Sequence, residues 1–135
     1  MLGVLAVGRS DALEILKMTG LYDKREKRSG ELTLLDRKRL EVARAIGTAP
    51  KLLLLDEVAA GLTDAEVKDI MKLVASLKEA GYTIIWIEHI IETMVNATDR
   101  LMCMSEGKNV VCGIPKEVIS SKIVEELYLG AEEDE

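Results

Sequence analysis

Asp56 and Glu57 follow four consecutive leucines in LLLLDE, and Glu88 and His89 follow the apolar run TIIWI. Two carboxylates and an imidazole at the ends of two apolar runs suit phosphate chemistry. A hard cation such as Mg²⁺ takes carboxylate oxygens while keeping several waters, which fits Asp56. Glu57 could orient or deprotonate a water that attacks a terminal phosphate, and His89 could hydrogen-bond that phosphate. Successive residues of a strand point to opposite sides, so Asp56 and Glu57 have separate tasks. The plainer reading makes the acidic pair helix-start chemistry and the histidine a turn residue. Their common position on one βαβ unit favours the chemical reading, because ligands of open α/β sheets bind beyond the carboxyl ends of the strands.

Those residues need elements to hold them. Leu52 to Leu55 is a short continuous apolar run, which predicts a strand covered on both faces. Val67, Ile70, Val74 and Leu77 recur at helical spacing between Asp64 and Ala80, and Gly81 closes that segment. Thr83 to Ile87 is β-branched and apolar, so strand, helix and strand form a βαβ unit with parallel strands. Upstream, Ser10 caps a predicted helix from Asp11 to about Thr19, ended by Gly20, and Thr33 caps a second helix over Leu34 to Ile46. Downstream come a short helix at Ile91 to Thr98, then strands Leu101 to Met104 and Asn109 to Cys112 joined by the turn SEGK. Pro115 opens a last helical region running to about Leu129, and the tail from Ala131 to Glu135 is acidic.

The whole chain sets the bounds. Its 135 residues predict one domain, small for a complete nucleotide-hydrolysing α/β domain. A net charge of -6 argues against nucleic acid as a partner, since phosphate backbones are bound through clustered Lys and Arg. The basic run Lys24 to Arg28 reads as a solvated loop. Cys103 and Cys112 lie in apolar segments without metal-ligand spacing and read as reduced core residues of a cytoplasmic protein. No apolar run reaches the roughly 20 residues that cross a bilayer, and no secretory signal pattern opens the sequence.

Nucleotide hydrolysis on such a fold needs a loop of the form G-x-x-x-x-G-K-[ST], whose backbone N–H groups and lysine hold the phosphates. GVLAVGRS, Gly3 to Ser10, imitates it. Only two residues stand before it where a strand is required, β-branched residues fill a tight loop, and Arg9 replaces the lysine. The Gly107–Lys108 pair has Met102 and Asn109 at the other motif positions and reads as a hairpin turn. The metal-and-water end of a nucleotide site is therefore present without its phosphate end.

RKRLEVARAIGTAPKLLLLDE, Arg37 to Glu57, resembles the signature helix and Walker B strand of the ATP-binding subunits of ABC transporters, most closely the branched-chain amino-acid import group. AAGLT, Ala59 to Thr63, is similar to that family's D-loop, and IEHI, Ile87 to Ile90, to its switch-histidine segment. DRLMCMSEGKNVVCGIPKEVI and the closing YLG resemble its C-terminal part. The resemblance covers only the latter half of the family's domain. It implies an α/β, partial P-loop NTPase-like fold with a short parallel βαβ core, a C-terminal hairpin and flanking helices. On this reading residues 1–48 are a remnant of the helical subdomain, 49–130 run from Walker B to the C-terminal part, and 131–135 are a tail.

The resemblance further implies Asp56 near Mg²⁺, Glu57 as catalytic base, His89 at the γ-phosphate of ATP, and Gly61, Leu62 and Thr63 across a dimer interface. The signature itself departs from the family: Leu32-Thr33-Leu34-Leu35-Asp36 stands where Leu-Ser-Tyr-Gly-Gln or similar is expected. Thr33 keeps a hydroxyl. Leu35 adds an isobutyl group where backbone should approach phosphate. Asp36 adds a negative charge beside one, about 4 kcal/mol of repulsion at 4 Å and an effective dielectric of 20. Val58 replaces the proline usual after the glutamate.

Three functions follow as expectations. The first is an ABC ATP-binding subunit or fragment at the cytoplasmic face of the membrane. It would bind or hydrolyse ATP only with a chain carrying the Walker A half, and would work beside membrane-embedded transporter subunits. The second is a non-catalytic, self-associating interaction or regulatory protein derived from that fold, since a sheet lacking part of its cover leaves apolar surface that favours homo-oligomers. The third is a metal-dependent phosphohydrolase built on Asp56, Glu57 and His89.

Overall fold

A computed structural model describes residues 9–128, and the chain divides between His89 and Ile90 into two compact units. The imitation loop Gly3 to Ser10 and the tail Ala131 to Glu135 lie largely or wholly outside the described residues.

The first unit begins with helix α1 (Arg9–Met18). Arg9 and Ser10 are already helical, so Ser10 is not the cap of a helix starting at Asp11. Serine favours caps because its hydroxyl can replace a backbone partner, but that preference is small enough for the chain to continue through it. Gly20 ends the helix as expected, with φ +72°. The charged stretch that follows holds two single 3₁₀ turns, Tyr22–Lys24 and Ser29–Glu31. Helix α2 (Leu34–Ile46) starts where the sequence places it, and the Thr33 hydroxyl accepts the Asp36 N–H at 3.2 Å.

Strand β1 (Leu52–Asp56), helix α3 (Asp64–Glu79) and strand β2 (Thr83–Ile87) form the expected βαβ unit. The strands are parallel, with Leu52 opposite Thr83 and Asp56 opposite Ile87. Thr63 and Glu66 close a reciprocal capping box at the start of α3. The apolar stripe of α3 packs on one face of the sheet: Ile70 and Leu77 are fully buried against Leu53, Leu55, Val42 and Ile46. Burying such a side chain contributes about 1.5–3 kcal/mol relative to leaving it in water.

The other face is bare. Leu52, Leu54, Ile85 and Ile87 are 45%, 69%, 51% and 60% exposed, while Leu53 and Leu55 are buried. The expectation that β1 is covered on both faces is therefore corrected. A leucine run shows that both faces suit burial, and only one cover layer, made by α2 and α3, lies within this unit.

The second unit contains α4 (Ile91–Ala97), strands β3 (Leu101–Ser105) and β4 (Lys108–Gly113), and helices α5 (Pro115–Ile119) and α6 (Lys122–Tyr128). β3 and β4 are an antiparallel hairpin turned by Glu106 and Gly107, both with positive φ. The last helical region is divided into these two short helices, and the break falls at Ser120 and Ser121, whose hydroxyls donate to the carbonyls of Lys116 and Val118. Cys103 is buried with Val118 and Val124 as expected, whereas Cys112 is exposed on the outer side of the hairpin. The strand alternation decides the difference: Cys112 pairs with exposed Met102, Cys103 with Val111.

Candidate functional site

The parallel pairing of β1 and β2 delivers two strand ends side by side. Asp56 is the last residue of β1 and is exposed. Glu57 leaves the strand with φ +46°, a left-handed conformation that few residues other than glycine adopt, and its N–H donates to the Ile87 carbonyl at 2.9 Å. Its own carbonyl accepts from Lys38 Nζ of α2 at 3.2 Å. The turn throws the Glu57 side chain toward the neighbouring strand, where His89 Nδ1 lies 3.7 Å from Glu57 Oε1. That separation exceeds a hydrogen bond and lies within ion-pair reach of a protonated imidazole. Both side chains are more than half exposed, so a water or an anion can reach them.

Asp56, Glu57 and His89 are thus gathered at one end of the sheet. Asp56 supplies one carboxylate, and among the described residues no group of three or more His, Cys, Asp or Glu is arranged to hold a metal. A metal held by protein ligands alone does not fit here. A nucleotide-borne Mg²⁺ does, because it takes one or two carboxylates and fills its remaining positions with phosphate and water.

The other predicted residues lie at two further places. Gly61, with φ +78°, Leu62 and Thr63 form the turn into α3, Leu62 packs on the core, and Thr63 caps the helix. A Cβ at Gly61 would come within 3.3 Å of Leu34 Cδ2, so this turn abuts the start of α2. There, Thr33 is exposed at the cap, and Leu35 leans on the main core rather than standing in solvent.

Asp36 is 2% exposed. Lys24 Nζ donates to its Oδ2, and Arg39 Nη1 lies 3.8 Å from Oδ1. Burial alone pushes the Asp36 carboxyl up, but Lys24, the Thr33 hydroxyl and Arg39 together outweigh it and hold the group below its ordinary value. Its charge is compensated within the fold, which removes the basis for the full repulsion computed from an uncompensated carboxylate. Lys24 is correspondingly more than part of a solvated basic loop.

Two contributors were not marked by sequence reasoning. Lys38 is one of several basic residues on α2, and nothing in spacing marks the one that meets the Glu57 carbonyl. Glu88 directly follows β2, and its Oε1 accepts from the Ala59 N–H at 2.8 Å and from Trp86 Nε1 at 3.0 Å. An acidic residue directly after an apolar strand and before the histidine was the available hint.

No protein-family model matches the chain. It is 34% identical over 116 residues to the high-affinity branched-chain amino acid transport ATP-binding protein LivG of Salmonella typhimurium, an alignment that covers 85% of this chain and 46% of that protein. It is 36% identical over 122 residues to the probable branched-chain amino acid transport ATP-binding protein LivG of Methanocaldococcus jannaschii, covering 87% and 46%. The lipopolysaccharide export system ATP-binding protein LptB of Haemophilus influenzae is 30% identical over 122 residues. The crystal structure of an ABC-transporter ATP-binding cassette in its ADP conformation superposes with a TM-score of 0.83 at 33% identity, over 90% of this chain and 49% of that one. A nucleotide-free cassette gives 0.81 at 32% identity, over 87% and 48%. The chain spans about half the length of the curated relatives it matches. Fold and relatives agree: the chain is homologous to the C-terminal half of the ATP-binding subunits of ABC transporters, with branched-chain amino-acid transport proteins among its relatives.

Proposed function

We propose that this chain is the water-activating half of an ABC ATP-binding subunit related to branched-chain amino-acid import, and that it acts only with a polypeptide segment that grips the phosphates. The observation that carries the reading is the meeting of Glu57 and His89 at 3.7 Å beyond the ends of two parallel strands, with Asp56 beside them. ATP would bring the phosphoanhydride to be cleaved, and Asp56 would hold its Mg²⁺ through the carboxylate, the ion offsetting charge on the phosphates. Glu57 takes the proton of the water that attacks the terminal phosphorus, ADP leaves with the bridging oxygen, and His89 donates a hydrogen bond to a terminal phosphate oxygen. Thr33 at the N-terminus of α2 and the turn Gly61 to Thr63 face the second subunit of a dimer in this reading, and residues 1–48 and 49–130 are its helical and Walker B portions. The bare face of β1 and β2 suits a covering layer from the phosphate-gripping half. The same half would come from another chain or from sequence beyond these 135 residues. Among the described residues no helix is long and apolar enough to cross a membrane. In this reading the subunit works at the cytoplasmic face beside membrane-embedded transporter subunits.

The test is ATP hydrolysis and calorimetric ATP binding by this chain, with and without the glycine-loop half of a LivG-type subunit. Hydrolysis in the mixture alone, lost in Glu57→Gln, is the expected result. Turnover by the isolated chain, or none in the mixture, overturns the reading. The same bare apolar face favours a second reading, a non-catalytic protein that self-associates, and that reading requires a dimer or larger species in light scattering and no response to the added half.

A further inference from the structure

Ala59 N–H and Trp86 Nε1–H share one acceptor, Glu88 Oε1. We propose that Glu88 is a positioning residue: its carboxylate fastens the loop after Glu57 to the strand end before His89, and so keeps Glu57 and His89 side by side. The catalytic meaning of that pair rests on the function proposed above, whereas the fastening itself is a property of this chain.

Main-chain pairing between the two strands ends at the Glu57 N–H, which donates to the Ile87 carbonyl. Two residues on, Ala59 is 1% exposed, and a buried amide requires an acceptor. The Glu88 side chain provides one where the ladder has stopped. Residues 57 and 59 are thereby fixed to residues 87 and 88, the two that directly precede His89. Glu57 sits between these two ties with φ +46°, a conformation that persists only where the surroundings over-determine it. Trp86, half-buried against the main core, gives the carboxylate its second fixed point through the indole N–H. Glu88 Oε2 is buried and finds no side-chain or backbone partner among the described residues. A carboxylate with no task would turn that oxygen to water, so the side chain is held inward by what Oε1 binds.

The test uses the whole chain labelled with ¹⁵N. In the wild type the Ala59 amide exchanges at least about tenfold more slowly than exposed loop amides; exchange as fast as theirs overturns the proposal without any variant. Glu57→Gln changes the chemical shifts of the His89 ring in the wild type. Glu88→Gln keeps an oxygen for both donors and preserves that response, while Glu88→Ala abolishes it and deprotects Ala59, with the α3 amides unaffected. A His89 response to Glu57→Gln that is equally large in Glu88→Ala overturns the proposal. The sole tryptophan reports independently, since Glu88→Ala shifts Trp86 emission and Glu88→Gln restores it. Failure of ATP hydrolysis in the mixing experiment would leave these spectra unchanged and count against the hydrolytic reading alone.

Discussion

Asp36 and Glu57 carry the same functional group on neighbouring elements and are used in opposite ways. Asp36, in the first turn of α2, is buried and met by Lys24, Arg39 and the Thr33 hydroxyl. Glu57, just past β1, is 57% exposed along its side chain, faces one imidazole at 3.7 Å, and occupies a backbone conformation that costs free energy. The first carboxylate stabilises the fold and is closed to a ligand. The second adds little to the fold and is open to one. A charge is available for chemistry where its surroundings leave it partly uncompensated, so burial and pairing separate the two residues better than their common type joins them.

The comparison breaks most visibly if Asp36→Ala is tolerated. Removing it takes the carboxylate from Lys24 and leaves Arg39 to Asp69, 3.8 Å away, and a loss of about 2–4 kcal/mol is expected in urea unfolding, below the full cost of a wholly buried pair because Lys24 is partly exposed. Its pH dependence sharpens the point. The folded Asp36 value lies below the unfolded one, so its contribution is fully present above about pH 4 and is lost as pH falls through the folded value. Urea midpoints of Asp36→Asn measured across that range should lack this acid-side decline. Thr33→Ala, which deletes the cap beneath Asp36, should cost about 1 kcal/mol by the same measurement.

At the other carboxylate the sign reverses. Glu57→Gly relieves the left-handed backbone and should raise stability by about 0.5–1 kcal/mol. The smallest effect belongs to Glu57→Gln, within about 0.5 kcal/mol of the wild type in thermal or urea unfolding. A loss there comparable to that of Asp36→Ala would erase the distinction.

Much of the scaffold was legible before the structure. Thr33, Gly20 and Gly81 punctuate helices because caps and left-handed turns act over a few residues, and the stripe from Val67 to Leu77 states which side of α3 faces inward. The strand ends bearing Asp56, Glu57 and His89 followed from two apolar runs around that helix. What escaped depends on partners far away in sequence. Lys24 reaches Asp36 across 12 positions, and Ala59 reaches Glu88 across 29. No local pattern encodes such meetings. The leucine run of β1 likewise records an affinity for cover on both sides, not whether the second layer lies in the same unit.

That one-sided sheet has a consequence for how the molecule melts. Leu52, Leu54, Ile85 and Ile87 are largely hydrated already, so unfolding exposes less new hydrocarbon than the leucine and isoleucine content suggests. The heat-capacity increment and the steepness of denaturant titrations both scale with newly wetted surface, so both should be shallow for a chain of 135 residues.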